Sequence, residues 1–220
     1  MTQKRAFVFD AYGTLFDVHS IGTECNKIFP QKGEKISQTW RTKQVEYFML
    51  HQIMGTYQPF KEITRSALLY AVKESHEELD SAAETQLMGA YLHLHIFPDV
   101  HRVLSELEGS TLAVFSNGSP DMLEPLVEQS IISHIVNQVI SVDDVKQFKP
   151  STQSYEYVLK TLNLSKDDII FVSSNGWDIS GAKNFGFQTA WINRDNNPVE
   201  ELGLVPDHIF SNLNGLLSIN

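Results

Sequence analysis

Side chains that can do chemistry stand where strand-like apolar runs of this sequence end. They are a carboxylate after the first run, a hydroxyl and an amide after the second, a hydroxyl, an amide and a carboxylate after the fourth, and a loop lysine: Asp10, Ser116, Asn117, Ser173, Asn175, Asp178 and Lys149. In an open α/β sheet, ligands bind outside the carboxyl ends of the strands. These distant groups are therefore expected to converge on one site.

Asp10 is the candidate nucleophile of that site. A carboxylate of ordinary pKa is ionised at pH 7 without a base, and carboxylates form covalent intermediates in several enzyme classes. Gly13 suits a tight turn, and Thr14 can hydrogen-bond the carboxylate or a backbone group. The competing interpretation, in which Asp10 only caps a turn, is disfavoured by the polar groups at the other strand ends.

The apolar runs themselves predict a sheet. They lie at 4–10, 110–116, 135–141, 167–174, 187–193 and 207–211, and continuous apolar runs are typical of strands buried on both faces. Helix-like stretches separate most of them, at 99–108, with Asp99 as the expected N-cap, and at 120–130, 151–162 and 177–185. This alternation predicts an α/β fold with a doubly wound parallel sheet.

The segment from about 17 to 96 interrupts that alternation. Apolar residues recur at helical spacing within 40–54 and 60–74, and no convincing strand is visible. We interpret 17–96 as a helical cap subdomain inserted into a core made of 1–16 and 97–220. The two crossings between them, near 17–20 and 95–98, are hinge candidates.

Charge and composition narrow the function classes. The 220 residues include 17 Lys and Arg against 27 Asp and Glu, a net charge of −10, which argues against nucleic-acid and acidic-membrane partners. One cysteine, Cys25, leaves no disulfide framework and no cysteine-based zinc site. The chain enters a strand-like run at once, so we expect no signal peptide and a cytoplasmic protein. An anionic substrate would need local positive charge.

Five segments together resemble a known family. FDAYGTLFDVHS (9–20), WRTKQVEYFMLHQIMG (40–55), FSNGSPDML (115–123), FKPSTQSYEYV (148–158) and FVSSNGWDISGAKNFGF (171–187) are similar to the (S)-2-haloacid dehalogenases of the haloacid dehalogenase superfamily. The resemblance covers nearly the whole chain in order. It implies a Rossmann-like core with a helical cap and hydrolysis of short (S)-2-haloalkanoic acids to (R)-2-hydroxyalkanoic acids and halide. It also implies no metal, no organic cofactor, and a homodimer, common among related enzymes.

Tyr12 separates this branch from related phosphatases. Those enzymes carry a second aspartate two positions after the nucleophile, which protonates a leaving alkoxide, whereas a halide is a very weak base and leaves without a proton. Phosphatases also need a cation to offset substrate charge; here Lys149 and Arg41 could supply local positive charge. A magnesium-dependent phosphatase remains the first alternative. The second is a non-catalytic binding member, which would be expected to have lost Asp10 or Lys149.

The resemblance also implies roles for individual residues. Asp10 would form the ester, with Lys149 and Thr14 orienting it. Asp178 would activate the hydrolytic water, although it could serve instead as the counter-charge of Lys149. Ser173, Asn175 and Tyr155 would support the catalytic cluster, and Ser116 with nearby backbone N–H groups would bind the substrate carboxylate. The halide would be bound by Arg41, Asn117 and Trp177. The apolar wall of the pocket would be formed by Tyr12, Val45, Phe60 and Trp177.

Simpler interpretations stay open for several of these. An arginine on an amphipathic helix is usually solvated, Asn117-Gly118 is a turn signal, Ser174 could be structural, and any single aromatic could be core packing. The motifs leave open the preferred halogen, the chain length and the physiological substrate.

Overall fold

The computed structural model describes residues 5–219. The first four residues of the predicted 1–16 segment and the last residue of the predicted 97–220 segment lie outside the described residues. Eight strands are present: β1 (Ala6–Phe9), β2 (Phe16–Asp17), β3 (His95–Ile96), β4 (Thr111–Ser116), β5 (Gln138–Ser141), β6 (Ile169–Ser173), β7 (Gln188–Ile192) and β8 (His208–Phe210). Six of them form one parallel sheet in the order β5-β4-β1-β6-β7-β8, which confirms the predicted doubly wound α/β fold.

The strand order determines where the site forms. β1 is fully buried and lies between β4 and β6, with Phe9 opposite Val114 on one side and Val172 on the other. The chain therefore winds outward from β1 in both directions, and the carboxyl ends of these three strands form the crevice in which such sheets bind ligands. Asp10 follows β1 directly, at the centre of that crevice.

Eight α-helices within residues 5–219 complete the fold. They are α1 (Gly22–Ile28), α2 (Gly33–Met54), α3 (Phe60–Glu74), α4 (Ser81–Ala90), α5 (Val100–Glu106), α6 (Pro120–Glu128), α7 (Thr152–Leu162) and α8 (Gly176–Phe185). The long α2 ends at Met54 because Gly55 adopts a left-handed conformation with φ 67°. It packs on α3, where the Trp40 indole donates a 2.7 Å hydrogen bond to the Thr64 carbonyl. Within 5–219, no helix has both the length and the apolar character that a membrane span requires.

The passages between the sheet and the helical segment form a small ribbon. β2 and β3 pair antiparallel, with Phe16 opposite Ile96 and Asp17 opposite His95. The expectation of no strand within 17–96 is therefore wrong at both ends of that range, at Asp17 and at His95–Ile96. A strand of two residues is too short to produce an alternating pattern, so only the pairing reveals it. The four helices α1 to α4 lie between β2 and β3 in the chain; the boundaries of the predicted cap stay a prediction.

Asp99 stands at the N-cap position of α5, as predicted, but does not use its side chain to cap the helix. Its backbone is helical (φ −82°, ψ −19°) and its side chain makes no capping bond. The carboxylate instead accepts a 2.7 Å hydrogen bond from the Leu213 backbone and pairs with the Arg194 guanidinium at 3.1 Å. The Asp99 carboxylate thus binds Arg194, a charged residue outside the helix, instead of the backbone N–H groups at the start of α5.

Candidate active site

Asp10 is held by three side chains and is only 4% exposed. Its Oδ1 accepts a 2.9 Å bond from Lys149 Nζ. Its Oδ2 accepts bonds from Thr14 Oγ1 at 3.0 Å and Asn175 Nδ2 at 2.9 Å. Because its backbone N–H also donates to Val172 of β6 at 2.9 Å, the carboxylate is fixed in both position and rotation.

Lys149 lies between two carboxylates. Besides Asp10, its Nζ donates to Asp178 Oδ2 at 2.7 Å and to the Phe115 carbonyl at 3.2 Å, so that all three ammonium hydrogens have acceptors. Burial alone lowers the pKa of Lys149, but the two carboxylates outweigh burial and raise it above its usual value. Lys149 is therefore a permanent positive charge beside Asp10. Within residues 5–219, no group of three or more His, Cys, Asp or Glu side chains could hold a metal ion.

Asp178 and Tyr155 complete this buried cluster. The Tyr155 hydroxyl donates a 2.8 Å bond to Asp178 Oδ1. Burial raises the pKa of Asp178 to about 6, Lys149 opposes the rise, and Asp10 adds to it. Burial and the neighbouring Asp178 raise the pKa of Tyr155, which stays a donor. Gly181 permits the approach, since a Cβ there would lie 2.6 Å from the Tyr155 hydroxyl.

Thr14 is held in place by the turn at Gly13 and by a hydrogen bond from the backbone of Ser174. Gly13 supplies the turn with φ +90°, and the Ser174 backbone donates a 2.8 Å bond to Thr14 Oγ1. Thr14 Oγ1 lies 3.0 Å from Asp10 Oδ2 and 3.2 Å from Ser174 Oγ, but a hydroxyl has one hydrogen. The carboxylate is the stronger acceptor, so we assign that hydrogen to Asp10.

Arg41 reaches from α2 to the core. Its Nη1 donates to Gln44 Oε1 at 2.8 Å, and its Nη2 donates to Asn175 Oδ1 at 3.1 Å and to the Tyr12 carbonyl at 3.4 Å. Arg41 is thus not a solvated surface arginine: the geometry brings it next to Asn175, which itself binds Asp10.

Ser116 and Ser173 occupy equivalent places at two strand ends. Each hydroxyl oxygen accepts a bond from the backbone N–H two residues on, from Gly118 at 3.0 Å and from Asn175 at 3.1 Å. These turns direct the chain into the site. Between residues 5 and 219 we find no acceptor for the Ser116 hydroxyl hydrogen, which leaves Ser116 able to donate.

The side-chain amide of Asn117 hydrogen-bonds the backbone of Lys149. Its Oδ1 accepts a 2.8 Å bond from the Lys149 N–H, and its Nδ2 donates to the Lys149 carbonyl at 3.4 Å. The amide therefore holds the loop that carries the lysine. The halide contact expected of Asn117 stays a prediction.

The predicted apolar wall is connected by a residue that the sequence analysis missed. Tyr12 and Phe60 stack at 5.5 Å between ring centroids, and Trp177 lies 5.3 Å from Phe48. Phe48 also lies 6.4 Å from Phe60, so it joins the two halves. The sequence showed Phe48 only as an apolar residue at helical spacing within the family-like segment 40–55.

A cavity of about 650 Å³ opens next to this cluster. Arg41, Val45, Asn175 and Trp177 line it, but Asp10 does not. Four other predicted pocket residues are buried away from it: Tyr12, Phe60, Ser116 and Asn117. Because Asn175 both lines the cavity and binds Asp10, it forms part of the wall between them.

Arg194 also lines this cavity and was not predicted. Its guanidinium pairs with Asp99, lies 4.0 Å from the Phe97 ring centroid, and donates to the Thr14 carbonyl at 3.3 Å. It thus ties the loop after β1 to the passage after β3. No motif contains it, so local sequence carried no signal for it.

Comparison with known proteins shows the family of this chain. The family model of the haloacid dehalogenase-like hydrolases matches residues 4–186. An (S)-2-haloacid dehalogenase of Pseudomonas sp. (strain CBS-3) is 40% identical over 98% of this chain and 95% of its own length. A solved L-2-haloacid dehalogenase superposes with a TM-score of 0.94 at 40% identity, covering 98% of each chain.

A third relative is the L-2-haloacid dehalogenase of Xanthobacter autotrophicus, solved with chloropropionic acid covalently bound. It has a TM-score of 0.92 and 37% identity, covering 97% of this chain and 96% of its own. These likenesses extend across the sheet and the helical segment alike. The chain is a member of the haloacid dehalogenase-like hydrolases and, within them, belongs to the (S)-2-haloacid dehalogenases.

Proposed function

We propose that the enzyme hydrolyses short (S)-2-haloalkanoic acids to (R)-2-hydroxyalkanoic acids and halide through an ester on Asp10. The observation that carries this is the environment of Asp10: a carboxyl group oriented by Lys149, Thr14 and Asn175, with Tyr12 where a phosphatase would need a second acid. The relative solved with covalently bound chloropropionic acid supports the covalent route.

In the first step an Asp10 oxygen attacks the substrate α-carbon in line with the carbon–halogen bond. The new carbon–oxygen bond forms as the halide leaves with the bonding electrons, so the configuration inverts. Oδ1 accepts one hydrogen bond and Oδ2 two, which leaves Oδ1 the more available nucleophile. The cationic Lys149 orients the Asp10 carboxyl group through a charge-assisted hydrogen bond.

Positive charge and hydrogen-bond donors hold the two ends of the substrate. Arg41 receives the halide together with Asn117 and the Trp177 ring. The Ser116 hydroxyl and neighbouring backbone N–H groups bind the substrate carboxylate, and Val45, Phe60 and Tyr12 pack on the alkyl chain.

In the second step water attacks the ester carbonyl carbon of Asp10. Asp178 takes a proton from the water, the bond between that carbon and the alkyl oxygen breaks, and the product oxygen gains a proton. Asp10 is regenerated with one oxygen from water. Tyr155, Ser173 and Asn175 hold Asp178 and the water, a role for which the 2.8 Å Tyr155–Asp178 bond is suited.

Metal independence is part of the proposal. The Lys149 ammonium lies 2.9 Å from Asp10 and 2.7 Å from Asp178, in the position where a cation would offset their charge. Halide departure needs no further acid.

The decisive experiment measures halide release from (S)- and (R)-2-chloropropionate with a metal chelator present. We expect release from the (S) form only, with (R)-lactate as product. Release that needs added magnesium, or no release by a folded enzyme, would contradict the proposal; in that case a magnesium-dependent phosphatase assay comes next.

Oxygen labelling tests the covalent step separately. In a single turnover in heavy-oxygen water, the product hydroxyl should carry an unlabelled Asp10 oxygen. Solvent label in the first product would indicate direct attack by water.

Two further features belong to this proposal. We propose that 17–96 acts as a cap over Asp10, and that two copies associate through the end of α2, where Leu50, Ile53 and Met54 are 42%, 82% and 59% exposed. Light scattering should give a dimer mass for the wild type and a monomer mass for Ile53→Asp. A monomeric wild type would contradict the dimer.

We also propose a cytoplasmic location. Cys25 is a buried free thiol, which suits a reducing compartment. Cell fractionation tests this, and recovery of the enzyme outside the cytoplasm would refute it.

A further inference from the structure

A buried chain of hydrogen bonds runs through the helical segment behind Arg41. Thr64 Oγ1 donates to the Phe60 carbonyl at 2.7 Å, and Gln44 Nε2 donates to Thr64 Oγ1 at 2.7 Å. Gln44 Oε1 then accepts from Arg41 Nη1 at 2.8 Å and from the Tyr91 hydroxyl at 3.1 Å. Gln44 and Thr64 are both 0% exposed, so this chain is shielded from water.

The backbone determines the direction of the chain. The Phe60 carbonyl can only accept, so the single Thr64 hydroxyl hydrogen is used there. Thr64 Oγ1 must then accept from Gln44, which places the Gln44 amide nitrogen at Thr64 and its oxygen at Arg41. A flipped amide would place N–H groups against the Arg41 guanidinium, which has no acceptor.

All the hydrogen-bond acceptors of Arg41 within residues 5–219 are neutral. They are amide oxygens of Gln44 and Asn175 and the Tyr12 carbonyl. A carboxylate at position 44 would orient the guanidinium as well but would cancel its charge at short range. A glutamine orients Arg41 and leaves that charge available to an anion.

We propose that Gln44 is a positioning residue that holds Arg41 toward the leaving halide without neutralising it. This inference rests on the proposed dehalogenation and on the halide role of Arg41. It assigns a specific role to a residue of the WRTKQVEY segment. The competing explanation is that Gln44 only joins α2 to α3.

The substitution Gln44→Glu separates these explanations, since it keeps the shape and changes the charge. Gln38→Glu is the matched control, because Gln38 is exposed on α2 and its side chain hydrogen-bonds only Glu34, at 3.0 Å. With (S)-2-bromopropionate as substrate and bromide as product inhibitor, we expect Gln44→Glu to lower kcat and raise the bromide inhibition constant, each by about tenfold or more. The control should match the wild type. A folded Gln44→Glu with wild-type bromide affinity would overturn the inference.

Thr64 provides a second test in case Gln44→Glu does not fold. Thr64→Val removes the hydroxyl that orients the amide, whereas Thr64→Ser keeps it. We expect Thr64→Val to weaken bromide binding and Thr64→Ser to retain it. Equal bromide affinity in the two variants would support a packing role alone and refute positioning.

The wild type distinguishes failure of the inference from failure of the proposed function. If the wild type releases no bromide from (S)-2-bromopropionate, the dehalogenase proposal fails, and this inference fails with it. If the wild type turns over while the Gln44 and Thr64 variants keep its bromide affinity, only the positioning role fails.

Discussion

The Nζ atom of Lys149 lies 2.7 Å from Oδ2 of Asp178, and both side chains are completely buried. This ion pair and the second one to Asp10 place one positive charge between two negative ones in a region that is almost entirely buried. We therefore expect both the proposed chemistry and the stability of the core to depend on this lysine.

Lys149→Met should abolish turnover and lower the free energy of unfolding by about 3–5 kcal/mol, because it leaves two buried carboxylates without a cation. The deficit should shrink as the pH falls, since protonation of Asp178, whose pKa burial raises to about 6, removes one of the two charges. Urea unfolding at pH 7 and pH 5 measures both effects. Lys146→Met is the control, since Lys146 pairs with Asp143 at the surface. A deficit that is the same at both pH values would contradict this account.

Turnover should fall as the pH drops below about 6, because Asp178 must be ionised to accept a proton from water and burial raises its pKa to about 6. The Tyr155 hydroxyl bond lowers that pKa, so Tyr155→Phe should move the acid limb of the kcat profile to higher pH. Tyr157→Phe, whose hydroxyl bonds the exposed Asp144, should not move it. An unshifted limb in Tyr155→Phe would remove Asp178 as the titrating base.

The same shift predicts how stability changes with pH. Folded Asp178 takes up its proton at higher pH than in the unfolded chain, where the usual value is 3.8. Its stabilising contribution is therefore complete below 3.8 and is lost as the pH rises through about 6. Asp178→Asn should make the stability curve flatter between these values. Chemical unfolding of the variant and the wild type across this range measures the free energy of unfolding at each pH. If the difference between the two curves changed with pH in the opposite direction, the prediction would be wrong.

Gly118→Ala should weaken substrate binding, because the new Cβ would lie 2.9 Å from the Tyr12 ring. The ring, which packs against Phe60 and Tyr91, must shift to relieve this contact. We expect a raised KM and a stability loss of about 1–3 kcal/mol. Gly109→Ala, where a Cβ meets nothing within 4 Å, is the control. A KM equal to that of the wild type would show that Tyr12 does not contact substrate.

Thr14→Val should lower kcat by about tenfold, since it removes the hydrogen bond that orients Asp10 Oδ2 and the acceptor for the Ser174 backbone. Thr14→Ser keeps both groups and should retain most of the activity. Single-turnover kinetics should place the loss in the alkylation step. Equal rates for the two variants would argue that Asn175 alone orients this oxygen.

Much of the candidate site was predictable because it stands at strand ends. Asp10, Ser116 and Ser173 each follow an apolar run, and parallel pairing brings such ends together regardless of their separation in the chain. Tyr12 was informative for a chemical reason, since its side chain cannot do the work of a carboxylic acid.

The residues that the sequence analysis missed act through partners far away in the chain. Arg194 meets Asp99 and Thr14, which are 95 and 180 positions distant. Local sequence predicted Asp99 as the N-cap of α5, but its side chain pairs with the distant Arg194 instead of capping the helix. Phe48 looked like one apolar position of α2, and only packing brings it against Trp177.

The sequence by itself determined the strands of the main sheet, the helices between them, the candidate nucleophile and the family to which the chain belongs. Periodicity, residue type and motif spacing are properties of neighbours in the chain. Only the tertiary structure decided which neutral amides hold Arg41, how Asn117 is engaged and that Asn175 lies between Asp10 and the cavity. Those outcomes depend on competition among hydrogen-bond partners from separate elements, and no local pattern records which partner wins.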